Sequence, residues 1–529
     1  PQSGRYEVHE LLRQYAEARL RSDTGQYEGA MDRLAAFYAG FLDERRASVL
    51  SATRQHVFAE MQADFENIRV AWQWMIDHAQ AERLLGSLRA LSQFYMTRRS
   101  RPEAASLFGS AASAFAWAEQ DGTREAKKVL GLGLSWQAMF SDMMGRKGAA
   151  VELAERGVAV LSPLGRDADL GTVLCTFAWV CAGAAEPGEV VSALEEGLAI
   201  HRAEHDAGWL VRALIMSIRI YLGALGDLTK AEACLREAIA VQKRSGDGSI
   251  VFPDTLATLG LILSAQGLRR EGCALVLEAL ASAEQIDDSW TVLLALQFAA
   301  RTQRDLGDYD AAERFARRAI AHARELGSSD TTGWCHFTLG GILRIRGRLS
   351  EAIAHYEQGA RESAGDVALI AKAELGLGEV ALQGGDRSLA ERHLAKSLAL
   401  CEEHRIQRVI GEVLDALAHL ACEQGRYDEA RGFLERAFAL ARGRTKPAEL
   451  IGIVVGAAAW CARTGQPIRA AELASLAQHH PATAAPLQLR RIGPLLVELS
   501  SVLAADELEA AMARGKNAQL ERVFEAAFP

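Results

Sequence analysis

His201 and His205 stand four residues apart in a segment of helix formers, a spacing that places two imidazoles on one helical face and suits chelation of zinc. Arg202 occupies the place where a metalloprotease of this pattern carries its glutamate, and no third ligand is apparent. The pair reads as a solvated helix end. Gly376, Gly378 and Ala381 imitate a dinucleotide-binding fingerprint, but no strand precedes them, and without strand-turn-helix geometry they are small packing positions. Gly515 and Lys516 are followed by Asn517, with no glycine at the earlier position that a phosphate-cradling loop requires. Serine, histidine and aspartate are plentiful but form no nucleophile elbow. Eight cysteines (Cys175, Cys181, Cys234, Cys273, Cys335, Cys401, Cys422 and Cys461) include no C-x-x-C pair, and read as small buried apolar residues in a reducing compartment. With neither a catalytic constellation nor a metal site, what remains is a binding surface.

Such a surface is positioned by a repeat of about forty residues. Its punctuation is Gly145, Gly226, Gly267, Gly307, Gly347, Gly385, Gly425 and Gly465, with Ala185 filling the one gap, and neighbours are 38 to 41 residues apart. Glycine takes the left-handed conformation that closes a helix without a Cβ penalty. Three residues later stand Thr229, Asp310, Ser350, Ser388 or Asp428, suited to accept from the free amides of a new helix. Five residues after the turn the occupants are alanine or glycine (Ala150, Ala231, Gly272, Ala312, Ala352, Ala390, Ala430, Ala470) apart from Val190. Twelve after it, none is larger than serine, from Gly157 to Ala477. Small side chains at fixed helical positions let two antiparallel helices approach to roughly 8 Å. One such pair cannot bury its own apolar face, so the pairs must stack into a solenoid.

These marks resemble the tetratricopeptide repeat: a small residue seven before the turn (Gly260, Gly340, Gly378, Ala418), then glycine, then an aromatic or leucine two later (Leu228, Tyr309, Leu349, Tyr427). The period exceeds the family's usual length of about 34 residues, the excess lengthening both helices. The resemblance implies an all-α, right-handed α-α superhelical solenoid of about nine or ten helix pairs, whose first helices line a concave groove. Positions 13, 10, 6 and 3 before the turn would face a partner; they include Arg301, Arg304, Trp334, Phe337 and Arg344, then Lys372, Glu379, Glu412, Asp415 and His419. Three arginines beside two aromatics suit an acidic peptide or a phosphorylated ligand. Packing on the inner wall is the plainer account of the same residues. Towards the N-terminus the groove carries Met139, Trp179, Met216 and Leu261 and is more apolar.

A net charge of −9 and an acidic isoelectric point argue against a chain built to coat nucleic acid. No uncharged apolar run reaches the roughly 18 to 20 residues of a membrane span; the longest, Leu170 to Ala185, falls in frame with the repeats. The start at Pro1 is expected to mark an excised region of something larger.

Near that start, Val8, His9 and Glu10 precede Leu11 and Leu12. This resembles the end of the winged-helix domain of STAND-type signal-transduction ATPases, where a Met-His-Asp motif precedes a leucine pair and its histidine reaches the β-phosphate of ADP. The resemblance implies a nucleotide-sensing role for His9, with the first and third motif positions changed. Phe65, Ile68, Ala71, Trp72 and Met75 lie at helical spacing in a segment similar to the one joining ATPase to repeats in that family. The expected organisation is the end of a winged helix over 1–25, a helical linker over 26–80, the solenoid over 81–480 and a helical cap over 481–529. The reading is a cytoplasmic, non-enzymatic sensor and scaffold module of a STAND (NB-ARC-type) regulatory ATPase controlling an effector such as transcription. It carries no cofactor itself; ADP or ATP belongs to the parent protein. Its partners are a protein or peptide, or a small-molecule inducer, in the groove, and the upstream nucleotide-binding domain, with oligomerisation on activation. A free-standing tetratricopeptide adaptor without an ATPase is the alternative.

Overall fold

The computed structural model describes residues 10–46, 48–50, 53–98, 100–244, 253–327, 329–363, 366–404, 406–441 and 447–520. Among them every element is a helix, and successive helices pair antiparallel across short turns. The turn chemistry follows the sequence closely: all eight punctuating glycines have positive φ, from 69° to 104°. At Gly307 the amide donates to the Arg304 carbonyl and the next amide, of Asp308, to that of Gln303, which closes the helix Ser289–Leu306. In the gap, the left-handed residue is Gly183, φ 80°, two positions before Ala185.

The expected cap position needs correction. Because the closing turn is complete within one residue, the new helix is capped immediately after the glycine. Asp227, Asp308 and Asp386 each accept from an amide three residues on, at 2.9 Å. Asp310, Ser350, Ser388, Thr229 and Asp428 fall inside the first helical turn. Where the cap position is arginine, the side chain anchors the turn by ion pairs instead: Arg348 meets Glu351 at 2.6 Å and Glu313 at 2.7 Å, and Arg426 meets Glu429 at 2.7 Å and Glu391 at 3.0 Å.

The chain divides into two compact units, Pro1–Ile220 with Ala240–Ile250, and Tyr221–Ile239 with Val251–Pro529. In the first, the linker-like helix Phe65–Asp77 buries Phe65, Ile68, Ala71, Trp72 and Met75. Its Trp72 lies edge-on to Phe108, which stacks on Phe140 at 5.8 Å. Aromatic core packing accounts for that stretch. The apolar run from Leu170 is the helix Ala168–Cys181, and no helix among the described residues is long and apolar enough to cross a membrane.

The second unit holds six helix pairs: Pro253–Gln266 with Arg269–Gln285, Ser289–Leu306 with Tyr309–Glu325, Ser329–Ile345 with Leu349–Glu362, Val367–Gln383 with Arg387–Glu403, Gln407–Glu423 with Tyr427–Ala441, and Pro447–Arg463 with Pro467–His479. The small positions do what their spacing predicts. Ala312, Ala352, Ala390, Ala430 and Ala470, and Ala238, Ala279, Ala319 and Ser397, have no accessible surface. A Cβ on Gly272 would come within 2.3 Å of the Gly260 carbonyl oxygen, and one on Gly376 within 2.5 Å of the Tyr356 ring, so both are contact glycines. After the sixth pair, Ile492, Leu495, Leu499 and Ala511 join Val454, Leu473 and Ala474 in one apolar cluster that ends the stack.

Candidate binding groove

Successive first helices of the second unit touch one another, and the first of the series, Pro253–Gln266, also touches the last, Pro447–Arg463. The six pairs therefore come round on themselves, and their first helices share an inner side.

On that side Arg301 is exposed and is paired with none of the described carboxylates. Although part of the side chain meets solvent, crowding by the surrounding wall and then the like charge of Arg304 press its pKa below the ordinary guanidinium value, while Asp305 and Glu412 pull the other way. Arg304 is not open in the same way: it pairs with Asp305 at 2.7 Å. Arg344 pairs with Glu379 at 3.1 Å, and Lys372 with Glu412 at 3.3 Å. Trp334 donates its indole N–H to Asp366 at 3.1 Å and meets Phe337 edge-to-face at 6.1 Å. Phe337 in turn packs on Tyr356 and lies 5.3 Å under the Lys372 ammonium. The structure thus brings Trp334, Phe337 and Arg344 into one polar-aromatic wall of adjacent pairs, with most of its charges already matched. Among the described residues of the wall, Arg301 is the open cation.

Further toward the C-terminus lies a contact that sequence reasoning did not anticipate. The proline-bounded stretch after the sixth pair does not simply cap the stack: residues 481–491 run back along the inner ends of the first helices. Pro481 lies so close to Gly267 that a Cβ there would stand 2.6 Å from its carbonyl carbon, and Arg269 donates to the Pro481 carbonyl oxygen. Ala485 would sit 3.3 Å from a Cβ on Gly307. Arg490 donates to the carbonyls of Ile345, at 2.8 Å, and Arg344, at 3.2 Å, and to the Gln383 side chain. Those carbonyls end the helix Ser329–Ile345, where spare acceptor capacity, that of Arg344 being shared with the Gly347 amide at 3.0 Å, and the negative end of the helix dipole both favour a guanidinium. Arg491 engages both oxygens of Asp415, one at 3.2 Å. His419, near the same arginine, is held below the usual imidazole range by burial first and by the Arg491 charge second. Beside the segment is a cavity of about 510 Å³ lined by Arg269, Asp305, His479, Thr483 and Gln488 among others. The only advance signal was a pair of adjacent arginines outside the repeat frame.

The remaining expectations divide. His9 lies outside the described residues. Met139 and Met216 are buried core residues rather than groove lining, and Trp179 is covered by the Arg219 guanidinium at 4.6 Å. His205 is exposed, and its Nδ1 sits 3.1 Å from the Arg202 carbonyl. His201, by contrast, is 1 % exposed with both ring nitrogens unpartnered, so it is a core residue and not a solvated helix end. The two do not converge, and no group of three metal-ligand side chains occurs among the described residues. A cavity of about 520 Å³ in the first unit is lined by Arg46, Arg83, Arg89, Asp43, Glu82 and Asp169; its deepest charges are matched, Asp169 pairing with Arg89 at 3.0 Å and Lys128 at 2.7 Å.

Comparison with known families agrees with the repeat geometry. A tetratricopeptide-repeat model matches residues 291–361 and a second matches 413–448. No curated protein matches significantly. Among solved structures, the chain is similar to a Rap protein complexed with competence and sporulation factor, at 16 % identity over 68 % of this chain and 99 % of that one, with a TM-score of 0.49. It is similar also to the apo quorum sensor NprR from B. thuringiensis, at 16 % identity over 68 % and 97 %, TM-score 0.44. The Cut9-Hcn1 assembly of the APC/C aligns at 12 % identity over 89 % and 94 %, TM-score 0.39. The chain carries tetratricopeptide repeats in an all-helical solenoid.

Proposed function

We propose that this chain is the ligand-binding sensor and scaffold module of a STAND-type regulatory ATPase, with the inner wall of the second unit as its binding surface. The observation that carries the binding part is the wall itself: a row of matched ion pairs and aromatics on adjacent first helices that, among the described residues, leaves Arg301 open to an acidic group of a peptide or protein partner. Hydrophobic packing of the array does not require such a row, since the core beneath it is closed by Ala295, Leu296, Leu339 and Ile342.

In this reading the nucleotide-binding domain belongs to the parent protein and the compartment is cytoplasmic. Occupation of the wall would bias the parent between its nucleotide-held resting state and an assembling state. Those parts rest on the resemblance around His9, not on the wall. The test of the binding surface is Arg301→Glu, which changes an exposed side chain and leaves the matched pairs intact. A partner captured by the wild-type chain should lose at least tenfold in affinity to the variant while the far-ultraviolet dichroism is unchanged. Equal affinity would remove the inner wall from the reading.

A further inference from the structure

The stretch 481–491 meets the array as a ligand would. It is out of the repeat frame, its part from Ala485 is helical with a π-helical turn over Gln488–Ile492 that runs on into Gly493–Ser500, and its long-range hydrogen bonds reach residues between 76 and 212 positions earlier. Two arginines do most of the polar work. Arg490 caps the helix-end carbonyls of Arg344 and Ile345 and reaches Gln383, while Arg491 takes the Asp415 carboxylate. Leu489 is 62 % exposed and anchors nothing, so the segment is held by its arginines, its proline end and the packing of Leu487 on the terminal cluster. Among these described acidic groups of the inner wall, Asp415 takes its partner from outside the array, whereas Asp305, Glu379 and Glu412 are matched by Arg304, Arg344 and Lys372.

We propose that the helix ends at Arg344, Ile345 and Gln383 together with Asp415 form a seat for a short helical turn bearing two adjacent arginines, and that residues 481–491 occupy this seat as a resident competitor. This deepens the reading of the inner wall as a binding surface and rests on it for its biological use. The partner that fits is a basic-ended segment: one guanidinium for helix-end carbonyls, the next for a carboxylate, both presented from one helical turn. A tethered competitor acts at an effective concentration of about a millimolar, so a partner in trans gains access only by outcompeting it or after the strap is weakened.

The strap cannot be removed by truncation, because the residues that follow it, Ile492, Leu495 and Leu499, belong to the terminal apolar cluster. The test therefore uses the full chain and a fluorescein-labelled peptide of residues 480–492, read by anisotropy. The Arg490→Ala/Arg491→Ala chain should bind this peptide at least tenfold more tightly than the wild-type chain. The same peptide with both arginines changed to alanine should not bind either chain. Arg490→Ala alone, which leaves Asp415 paired, is the second variant should the double variant lose its helical signal. Equal binding of the labelled peptide to wild type and to the folded variants, absence of binding to all of them, or equal binding of the alanine peptide would overturn the seat. Because the probe is the chain's own segment, this result is independent of the Arg301→Glu experiment: a seat without a cellular partner, and a partner that ignores the seat, give different patterns.

Discussion

The phase of the repeat decides which side chains face inward, and one pair of glycines tests that phase directly. On the helices Pro253–Gln266 and Arg269–Gln285, a Cβ at Gly272 would lie 2.3 Å from the Gly260 carbonyl oxygen and 2.8 Å from the Ser264 amide nitrogen. That is about 1.1 Å short of ordinary contact, and the obstacles are backbone atoms that no rotamer change can move. The helices must part, which costs up to about 3 kcal/mol by analogy with overpacked cores. Alanine gains about 1 kcal/mol over glycine as a helix former. Gly272→Ala should therefore destabilise the second unit by about 2 kcal/mol. Gly432, in the helix Tyr427–Ala441, has nothing within 4 Å of its would-be Cβ, so Gly432→Ala should stabilise by about 0.5–1 kcal/mol. Urea titration followed by circular dichroism reads both, with the slope as a check that the cooperative unit is unchanged. If Gly272→Ala is as stable as Gly432→Ala, the close crossing is wrong and the inward assignment built on it falls.

Two further outcomes follow from buried charge. His201 and His336 are each held neutral, with pKa values lowered from 6.5 to about 4, in both cases by burial first; Arg89 adds to this at His201, while at His336 Glu362 opposes it and His355 and Arg324 assist. The folded values lie below the unfolded ones, so the stability these groups contribute is complete above about pH 6.5 and is lost as pH falls towards 4, each accounting for on the order of 3 kcal/mol. His201→Leu, which also deletes two unpartnered buried nitrogens, should flatten the fall in urea midpoint between pH 6.5 and 4.5; an unchanged slope refutes the assignment. Glu313 is 5 % exposed and joins Arg346, at 2.8 Å, and Arg348, at 2.7 Å, across two successive pairs. Glu313→Gln should cost about 1–2 kcal/mol, discounted for the solvent that reaches the arginines, and a loss in the urea titration below about 0.3 kcal/mol would show the ladder to be ornamental.

How much of this was legible from residues alone differs by element. The turn glycines and the small positions were legible because each is forced by local geometry: a left-handed φ at Gly307, a backbone crossing at Gly272. The caps were displaced by two residues because the closing turn is shorter than the spacing implied, which put the role on Asp308 and not Asp310. The wall arginines were found, but not their partners. Arg304 is matched by its own neighbour and Arg344 by a glutamate one repeat later, and pairing of that kind depends on side-chain direction rather than residue type. Arg490 and Arg491 were missed for a stronger reason. Their acceptors lie 76 to 146 residues earlier and include main-chain carbonyls, which leave no mark in a sequence. His201 was misplaced because an imidazole near a helix end carries no sign of whether the next unit covers it.

The central claim is that partners bind the inner wall of the second unit. A photo-reactive phenylalanine derivative placed at position 301, on the wall, and separately at the exposed position 357, on the second helix of the third pair, tests it most directly. Irradiation with a captured partner should give an adduct from position 301 and none from position 357. Adducts from position 357 alone would place the partner on the outer helices and contradict the account.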